Sequence, residues 1–206
     1  MAGKTQKEQK TIDYYDREAQ NWSDAHGGNE RESYWQREMD KLHELLPGGK
    51  VIEIGSGAGK DASALIRMGY DYAGTDASKG LIEVAKKRNP EAIFMNAAVD
   101  ELDFPDDSFD GFWAAAVLLH IPKDRIDEAL QSIKRVIKPG GYGFISMKAG
   151  AEERTDPQTD RWFAFYSQAG FGEALEKNGF EIADKETRKG EKDTWLVYYV
   201  RKPATQ

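Results

Sequence analysis

From about residue 50 onward, the apolar residues of this chain fall into two alternating rhythms. Short apolar runs predict strands at Val51–Ile54, Tyr72–Thr75, Ala92–Met95, Gly111–Ala116 and Tyr142–Met147. Between them, apolar positions three and four apart predict helices around Asp61–Met68 and over Lys79–Arg88, the second stopped by Asn89-Pro90. Pro122 suits the first turn of another helix, whose buried face is Ile126, Ala129, Leu130, Ile133, Val136 and Ile137; Lys138-Pro139-Gly140-Gly141 then reads as a turn. Upstream, Trp35, Met39, Leu42 and Leu46 lay one apolar stripe along a helix that Pro47-Gly48-Gly49 ends. In the last quarter a helix near Gln168–Asn178 stops at Gly179, and strands Phe180–Ala183 and Trp195–Val200 flank the charged turn Asp184–Asp193.

Strands alternating with helices predict an α/β fold, a doubly wound sheet of seven strands, mostly parallel, with an antiparallel hairpin at its C-terminal edge. The expected division is an N-terminal helical extension or lid over residues 1–46 and the sheet domain over 47–206. Three stretches lack either rhythm: Met1–Lys10 and Lys148–Asp160 are expected to be mobile, and Asn21–Asn29 to be a loop.

Composition narrows the function. With 206 residues, 39% hydrophobic and 32% charged, the chain has the make-up of one ordinary water-soluble domain. No apolar run approaches the ~20 residues that cross a bilayer, and the lysine-bearing N-terminus has no signal-peptide core, so a cytoplasmic location without membrane contact is expected. The absence of cysteine excludes disulfides, thiolate–zinc sites and cysteine nucleophiles. A net charge of −7 disfavours nucleic acid as a partner, because that affinity rests on Lys and Arg neutralising phosphates. No His/Asp/Glu cluster has the spacing of a metal site, and no Ser–His–Asp arrangement stands out.

The most informative stretch is Val51-Ile52-Glu53-Ile54-Gly55-Ser56-Gly57-Ala58-Gly59, a strand running into a glycine turn that opens a helix. In an α/β sheet such a junction lies beyond the carboxyl end of a strand, where ligands bind. The dinucleotide fingerprint Gly-x-Gly-x-x-Gly is broken here: the third glycine comes one position early, at Gly59, and Lys60 takes its place. Glu53, two residues before Gly55, would repel a pyrophosphate but suits a ligand with a cationic end. Asp76 ends the next strand, 21 residues after Gly55, where a carboxylate can accept both ribose hydroxyls of an adenosine. The alternative is a helix-capping aspartate, although Ser78 can itself cap the helix that follows.

Glu-x-Gly-x-Gly-x-Gly resembles the signature of class I S-adenosylmethionine-dependent methyltransferases. Asp103-Phe104-Pro105-Asp106-Asp107-Ser108-Phe109-Asp110 and Val136-Ile137-Lys138-Pro139-Gly140-Gly141 extend the likeness to the type-11 group over about Lys50–Met147. The resemblance implies a Rossmann-like sheet closed by the C-terminal hairpin, S-adenosylmethionine as cofactor with S-adenosylhomocysteine as product, and a methyl acceptor that is a small molecule. It implies that Gly55, Ser56 and Gly57 pass under the methionine portion with Glu53 nearby, that Asp76 and Ala77 face the ribose, and that the main-chain carbonyl of Ala114 accepts from the ligand's ammonium. Adenine would lie along Ala98 and Val99. The chain departs from its relatives at Ala98, where they usually carry an adenine-facing Asp; Asn96, Asp100 or the backbone near Val99 can substitute.

His120, just past the fourth strand, is the candidate base for an acceptor that must lose a proton; the alternative is a histidine that only orients a loop. Tyr15 and Trp22, with Tyr14, form one candidate wall of the acceptor pocket, and Phe165 and Tyr166, in the aromatic run Arg161–Tyr166, form another. His26 is placed in the N-terminal loop, His43 on or beside the Trp35 stripe, and Trp113 in the sheet core. The leading reading is methyl transfer to O, N or S of a small molecule by in-line displacement, in a monomer or homodimer. An RNA or protein methyltransferase, a nicotinamide-dependent oxidoreductase and a non-catalytic S-adenosylmethionine-binding protein are the alternatives. Against the first stands Ala114-Ala115-Ala116-Val117, where enzymes methylating exocyclic amines carry Asn/Asp-Pro-Pro-Tyr/Phe.

Overall fold

A computed structural model describes residues 3–26 and 34–204. Seven strands make one sheet: β1 (Gly49–Ile54), β2 (Tyr70–Asp76), β3 (Ile93–Asn96), β4 (Phe109–Ala115), β5 (Ile137–Lys148), β8 (Glu181–Lys189) and β9 (Thr194–Arg201). Their order is β3-β2-β1-β4-β5-β9-β8. β1 to β5 pair in parallel; β9 runs antiparallel to β5, and β8 antiparallel to β9. The fold is therefore the doubly wound seven-stranded α/β sheet that the alternation of apolar rhythms predicts. Lys138–Gly141 does not separate two elements as a turn. It bulges out within β5, where pairing jumps from Phe109–Ile137 to Gly111–Tyr142.

Apolar burial on both faces explains the continuous runs in the central strands. Helix α5 (Ile126–Val136) turns Ile126, Ala129, Leu130, Ile133 and Val136 onto one face of the sheet, beside α6 (Gln168–Lys177). Helices α2 (Gln36–Leu45) and α3 (Ala62–Arg67) share the other cluster with Trp113, fully buried as expected and stacked on Phe144 at 3.9 Å. Met39 and Leu42 of the expected α2 stripe are fully buried, and His43 packs edge-on against Tyr70. Helix α4 (Lys79–Arg88) starts at Ser78, whose Oγ accepts from the Leu81 N–H.

Three further sequence expectations fail. The charged stretch Asp184–Asp193 is not one turn: β8 pairs with β9 as far as Lys189–Thr194, so the hairpin turn is confined to residues 190–193. The N-terminal stretch is not a mobile tail followed by a loop: Gln6–His26 is one helix, α1. Thr5 and Glu8 form a capping box, in which the Thr5 N–H donates to Glu8 Oε2 (2.7 Å) and the Glu8 N–H donates to Thr5 Oγ1 (3.3 Å). Ile12, Tyr15, Ala19 and Trp22 then recur at helical spacing along the face turned to α4 and the cleft. Gly27 to Asn29, the rest of the expected loop, lie outside the described residues. The expected mobile segment Lys148–Asp160 instead contains β6 (Glu153–Thr155), which pairs with β7 (Trp162–Ala164) in a small antiparallel ribbon.

The start of α1 is tied to the sheet domain by charge. Arg125, just ahead of α5, donates from Nη1 to Glu8 (2.6 Å) and from Nη2 to Asp100 (2.7 Å) and Glu128 (2.8 Å). Its side chain is 8% exposed, and those of Glu8 and Asp100 are 7% and 15% exposed. Removing the cation would leave two carboxylates with little access to water, the costly way to break a buried ion pair. Arg125→Met is expected to lower the unfolding free energy by about 3–5 kcal/mol, read as a fall in the urea midpoint. An unchanged midpoint would mean that these carboxylates are solvated.

Candidate functional site

The sheet order reverses between β1 and β4, so the loops leaving their carboxyl ends part and open a crevice. Helix α1 lies across it, and together they enclose a cavity of about 220 Å³. Its floor comes from the glycine turn (Gly55, Gly57) and the end of β2 (Asp76, Ala77); one side comes from Ala98 and Val99, and the far wall from Tyr15, Trp22 and His120. A second, more open recess adjoins it, sharing Trp22, Gly55 and Ala115 and adding Glu53, Ser56, Lys60 and Asp61. Of the residues picked out from the sequence, the two cavities gather Glu53, Gly55, Ser56, Gly57, Asp76, Ala77, Ala98, Val99, Tyr15, Trp22 and His120.

The glycine turn needs its glycines for different reasons. At Gly55 (φ 70°) a Cβ would stand 2.3 Å from the Val117 side chain, so only glycine lets the loop after β4 close against the turn. At Gly57 (φ 54°) nothing stands within 4 Å of that position, and its N–H donates to Asp76 Oδ2 at 2.9 Å. Asp76 Oδ1 accepts from the Ser78 N–H (2.8 Å), so the carboxylate bridges the turn and the start of α4. Burial pushes the Asp76 carboxyl up to about 6, against the pull of these two donors. Asn96 uses its amide group on the carbonyls of Asp76 and Ala77 (2.9 Å each), so it braces this loop and does not line the cavity.

The adjoining recess is acidic. Glu53 is buried and accepts a short hydrogen bond from Tyr72, and its carboxyl is held well above the usual carboxylate range by burial, with nearby Asp61 adding to the shift. Asp61 accepts from the indole N–H of Trp113 (3.0 Å). Ser56 Oγ, also buried, has no hydrogen-bond partner among the described residues. A buried hydroxyl without a partner beside two carboxyl groups fits a ligand carrying a cation and further polar atoms, and it fits a pyrophosphate poorly.

At the far wall a hydrogen-bond chain joins three elements. Ala116 adopts a left-handed conformation (φ 54°), with its N–H held by Ser146 Oγ (2.9 Å), and this turns the chain out of β4 into the short helical turn Leu118–His120. His120 Nδ1 lies 2.7 Å from the Trp162 carbonyl, which can only accept, so Nδ1 carries the hydrogen and Nε2 is the acceptor. Nε2 lies 3.0 Å from the Tyr15 hydroxyl, which therefore donates to it. Arg161 Nη1 donates to the same hydroxyl oxygen (2.9 Å). Burial, reinforced by the Arg161 charge, pulls the imidazole down to about 4, and burial lifts the Tyr15 phenol to about 12.

Three sequence expectations are corrected here. Phe165 and Tyr166 line neither cavity, because the chain beyond β7 turns back into the core; Tyr166 packs edge-on against Phe171 of α6, 5.1 Å between ring centres. Ala114 is fully buried inside β4, and the next two residues, Ala115 and Ala116, face the cavity instead. His26 closes α1 and stacks on Trp22 at 3.7 Å, so it is not in a loop. Arg161 is the residue the sequence reading passed over, since its partner Tyr15 stands 146 positions away. Among the described residues no group of three His, Asp or Glu side chains is placed to hold a metal ion, and no helix is long and apolar enough to cross a membrane.

The family model described as "Methyltransferase domain" matches residues 52–145, which run from β1 through the glycine turn and Asp76 into β5. These residues belong to the methyltransferase domain family. The chain is 35% identical over 116 residues to the methyltransferase GfsG of Streptomyces halstedii, covering 52% of this chain and 41% of that protein. It is 28% identical over 134 residues to a demethylmenaquinone methyltransferase of Paenarthrobacter aurescens, covering 65% and 50%. The chain thus spans about half the length, or less, of these curated relatives. In fold it is similar to 1,6-didemethyltoxoflavin-N1-methyltransferase of Burkholderia thailandensis (TM-score 0.80, 20% identity, 98% of this chain and 93% of that one). It is nearly as similar in fold to the [4+2]-cyclase SpnF (TM-score 0.78, 20% identity, 100% of both chains). A shared fold therefore does not fix the reaction.

The hydrogen-bond chain makes a prediction that needs no ligand. Nitrogen-15 NMR of histidine-labelled protein is expected to show His120 as the neutral Nδ1–H tautomer at pH 7, remaining neutral down to about pH 4. A normal titration near ~6.5 would mean that the ring is open to water.

Proposed function

We propose that the chain transfers a methyl group from S-adenosylmethionine to an O, N or S atom of a small molecule. The observation that carries this reading is the pairing of Asp76, set on the floor of the cavity by the Gly57 and Ser78 N–H groups, with the acidic recess of Glu53, Asp61 and the unpartnered Ser56 hydroxyl. When bound, the cofactor supplies a methyl group on a positively charged sulfur, a good leaving group that needs little chemical assistance. Asp76 accepts the ribose hydroxyls, and Ala77, Ala98 and Val99 offer an apolar slot for the adenine. Asp100 also lines that slot, with one carboxylate oxygen engaged by Arg125, so it stands where an adenine amine can find an acceptor despite Ala98. Gly55, Ser56 and Gly57 pass beneath the methionine portion, and Glu53 with Asp61 faces its ammonium.

The residues then act mainly by position. Aligning acceptor, methyl and sulfur contributes ~7–11 kcal/mol when the reacting atoms lie ~3–3.5 Å apart. Helix α1 covers the crevice and keeps water from the methyl group. Relatives named for quinone and toxoflavin methylation act on small molecules, which supports the same class of acceptor here. The acidic balance of the chain speaks against a nucleic-acid acceptor. A nicotinamide dinucleotide would have to set its pyrophosphate beside Glu53 and Asp61, and a ligand with a cationic end fits that recess better.

Titration calorimetry with S-adenosylhomocysteine is expected to show binding that Asp76→Ala weakens at least tenfold; unchanged affinity would remove Asp76 from the ribose site. Since the Asp76 carboxyl sits at about 6 and accepts best when ionised, wild-type affinity should be full above that pH and fall as pH drops through it. NAD binding in place of S-adenosylhomocysteine would replace the reading. Exposure of a metabolite extract to methyl-labelled cofactor should place label in a small molecule, and label confined to RNA or protein would favour those acceptors instead.

A further inference from the structure

We propose that Tyr15, rather than His120, is the catalytic group that receives the acceptor's proton, with His120 as the terminal base behind it and Arg161 as the positioning residue that sets the direction of the chain. The inference rests on the methyl-transfer reading above and deepens it: the acceptor is a hydroxyl that still carries its proton at neutral pH.

The geometry leaves little choice. His120 Nε2, the only ring nitrogen free to accept, is occupied by the Tyr15 hydroxyl at 3.0 Å, and Nδ1 is committed to the Trp162 carbonyl at 2.7 Å. Trp162 also donates its N–H to Thr11 Oγ1 (2.9 Å), one turn of α1 before Tyr15, so the ring and the hydroxyl are registered through the backbone of one residue. An acceptor in the cavity therefore meets the oxygen of Tyr15 before it meets the imidazole. That oxygen donates to His120 and accepts from Arg161, which leaves it one further lone pair for an acceptor O–H.

Arg161 explains why the hydroxyl points toward the histidine. A guanidinium has no acceptor, so Tyr15 cannot donate to it and must donate to Nε2. Arg161 has no carboxylate within ion-pair distance among the described residues. It lies against the rings of Tyr14, Tyr15, Trp22 and Phe163, at 4.8, 5.3, 5.0 and 5.2 Å from their centres. Its charge favours electron density on the Tyr15 oxygen, which it holds in place through the hydrogen bond.

The step balances without another reactant. The acceptor's lone pair forms the bond to the methyl carbon as the carbon–sulfur bond breaks with its electron pair on sulfur. The acceptor's proton passes to the Tyr15 oxygen, and Tyr15's own proton passes to His120 Nε2. One positive charge disappears at sulfur and one appears on the imidazole, so the cavity's net charge is unchanged. A weakly basic imidazole suffices for a hydroxyl acceptor, because its O–H becomes strongly acidic as the new bond to carbon forms. The proton leaves His120 for water once the product departs.

The test uses methyl-labelled cofactor with two probe series at about pH 8: substituted phenols, whose hydroxyl is still protonated there (~10 for tyrosine), and thiophenols, which are already anions. Wild type should label both. Tyr15→Phe should cut kcat on phenols by about 100-fold or more, the usual range of proton-transfer catalysis, while thiophenols lose only a few-fold. His120→Ala should show the same split. Arg161→Gln should lower kcat on phenols without raising the KM for the cofactor, and Arg161→Lys should restore part of it. S-adenosylhomocysteine affinity measured on each variant identifies those that have lost their fold. Equal losses on both series would make Tyr15 a packing residue and overturn the proposal. Wild type that binds S-adenosylhomocysteine but labels neither series would also overturn it, leaving the cofactor reading intact. Wild type that does not bind S-adenosylhomocysteine would sink the proposed function itself.

Discussion

The arrangement of this molecule turns on one carboxylate held by two backbone N–H groups. Asp76 stands at the end of β2, and its two oxygens take the N–H of Gly57 from the glycine turn and the N–H of Ser78 from the start of α4. Two crossover units are thereby locked at the point where the crevice opens. Burial works against the charge, and the two donors oppose it only in part. A carboxylate kept in such a place at an energetic cost is the mark of a site built to receive hydrogen-bond donors. The glycines, the close contact of Val117 at Gly55 and the bracing amide of Asn96 all serve to keep that oxygen pair in position.

A second constraint shapes the opposite wall. Helix α1 is anchored at its start by the Arg125 carboxylate cluster and farther along by Asp16, which accepts from Ser78 Oγ (2.7 Å) and the Gly80 N–H (2.9 Å). Between these anchors it delivers Thr11 and Tyr15 to Trp162 and His120. The cover over the crevice and the Tyr15–His120 hydrogen-bond chain are thus one piece of structure, so the helix that lies across the crevice also completes its far wall. Under the proposed methyl transfer, the site has to supply little beyond alignment and one proton path, which suits a leaving group as good as a sulfonium.

Legibility in the sequence followed the range of the interactions. The order of strands and helices was readable because each segment's own rhythm sets its burial, and Gly55, Gly57 and Asp76 because a turn and one returning strand fix their separation. Ser78 was readable as a cap for the same local reason. The Thr5–Glu8 capping box and the spacing of Ile12, Tyr15, Ala19 and Trp22 were equally local, but a polar, lysine-rich face hid them. Arg125 and Arg161 were not readable. Their partners lie 117 and 146 residues away, and nothing in a charged surface-like position tells which arginine will be buried against them. Phe165 and Tyr166 misled because an aromatic run marks core and pocket alike; the register of the β6–β7 ribbon, which sends them inward to α6, is a tertiary fact.

The account stands most directly on where a bound nucleoside sits. A crystal structure with S-adenosylhomocysteine should show both ribose hydroxyls on Asp76, the adenine between Ala77 and Val99, and the ammonium in the recess of Glu53 and Asp61. A crevice that stays empty at saturating ligand, or a ribose that leaves Asp76 untouched, would contradict it.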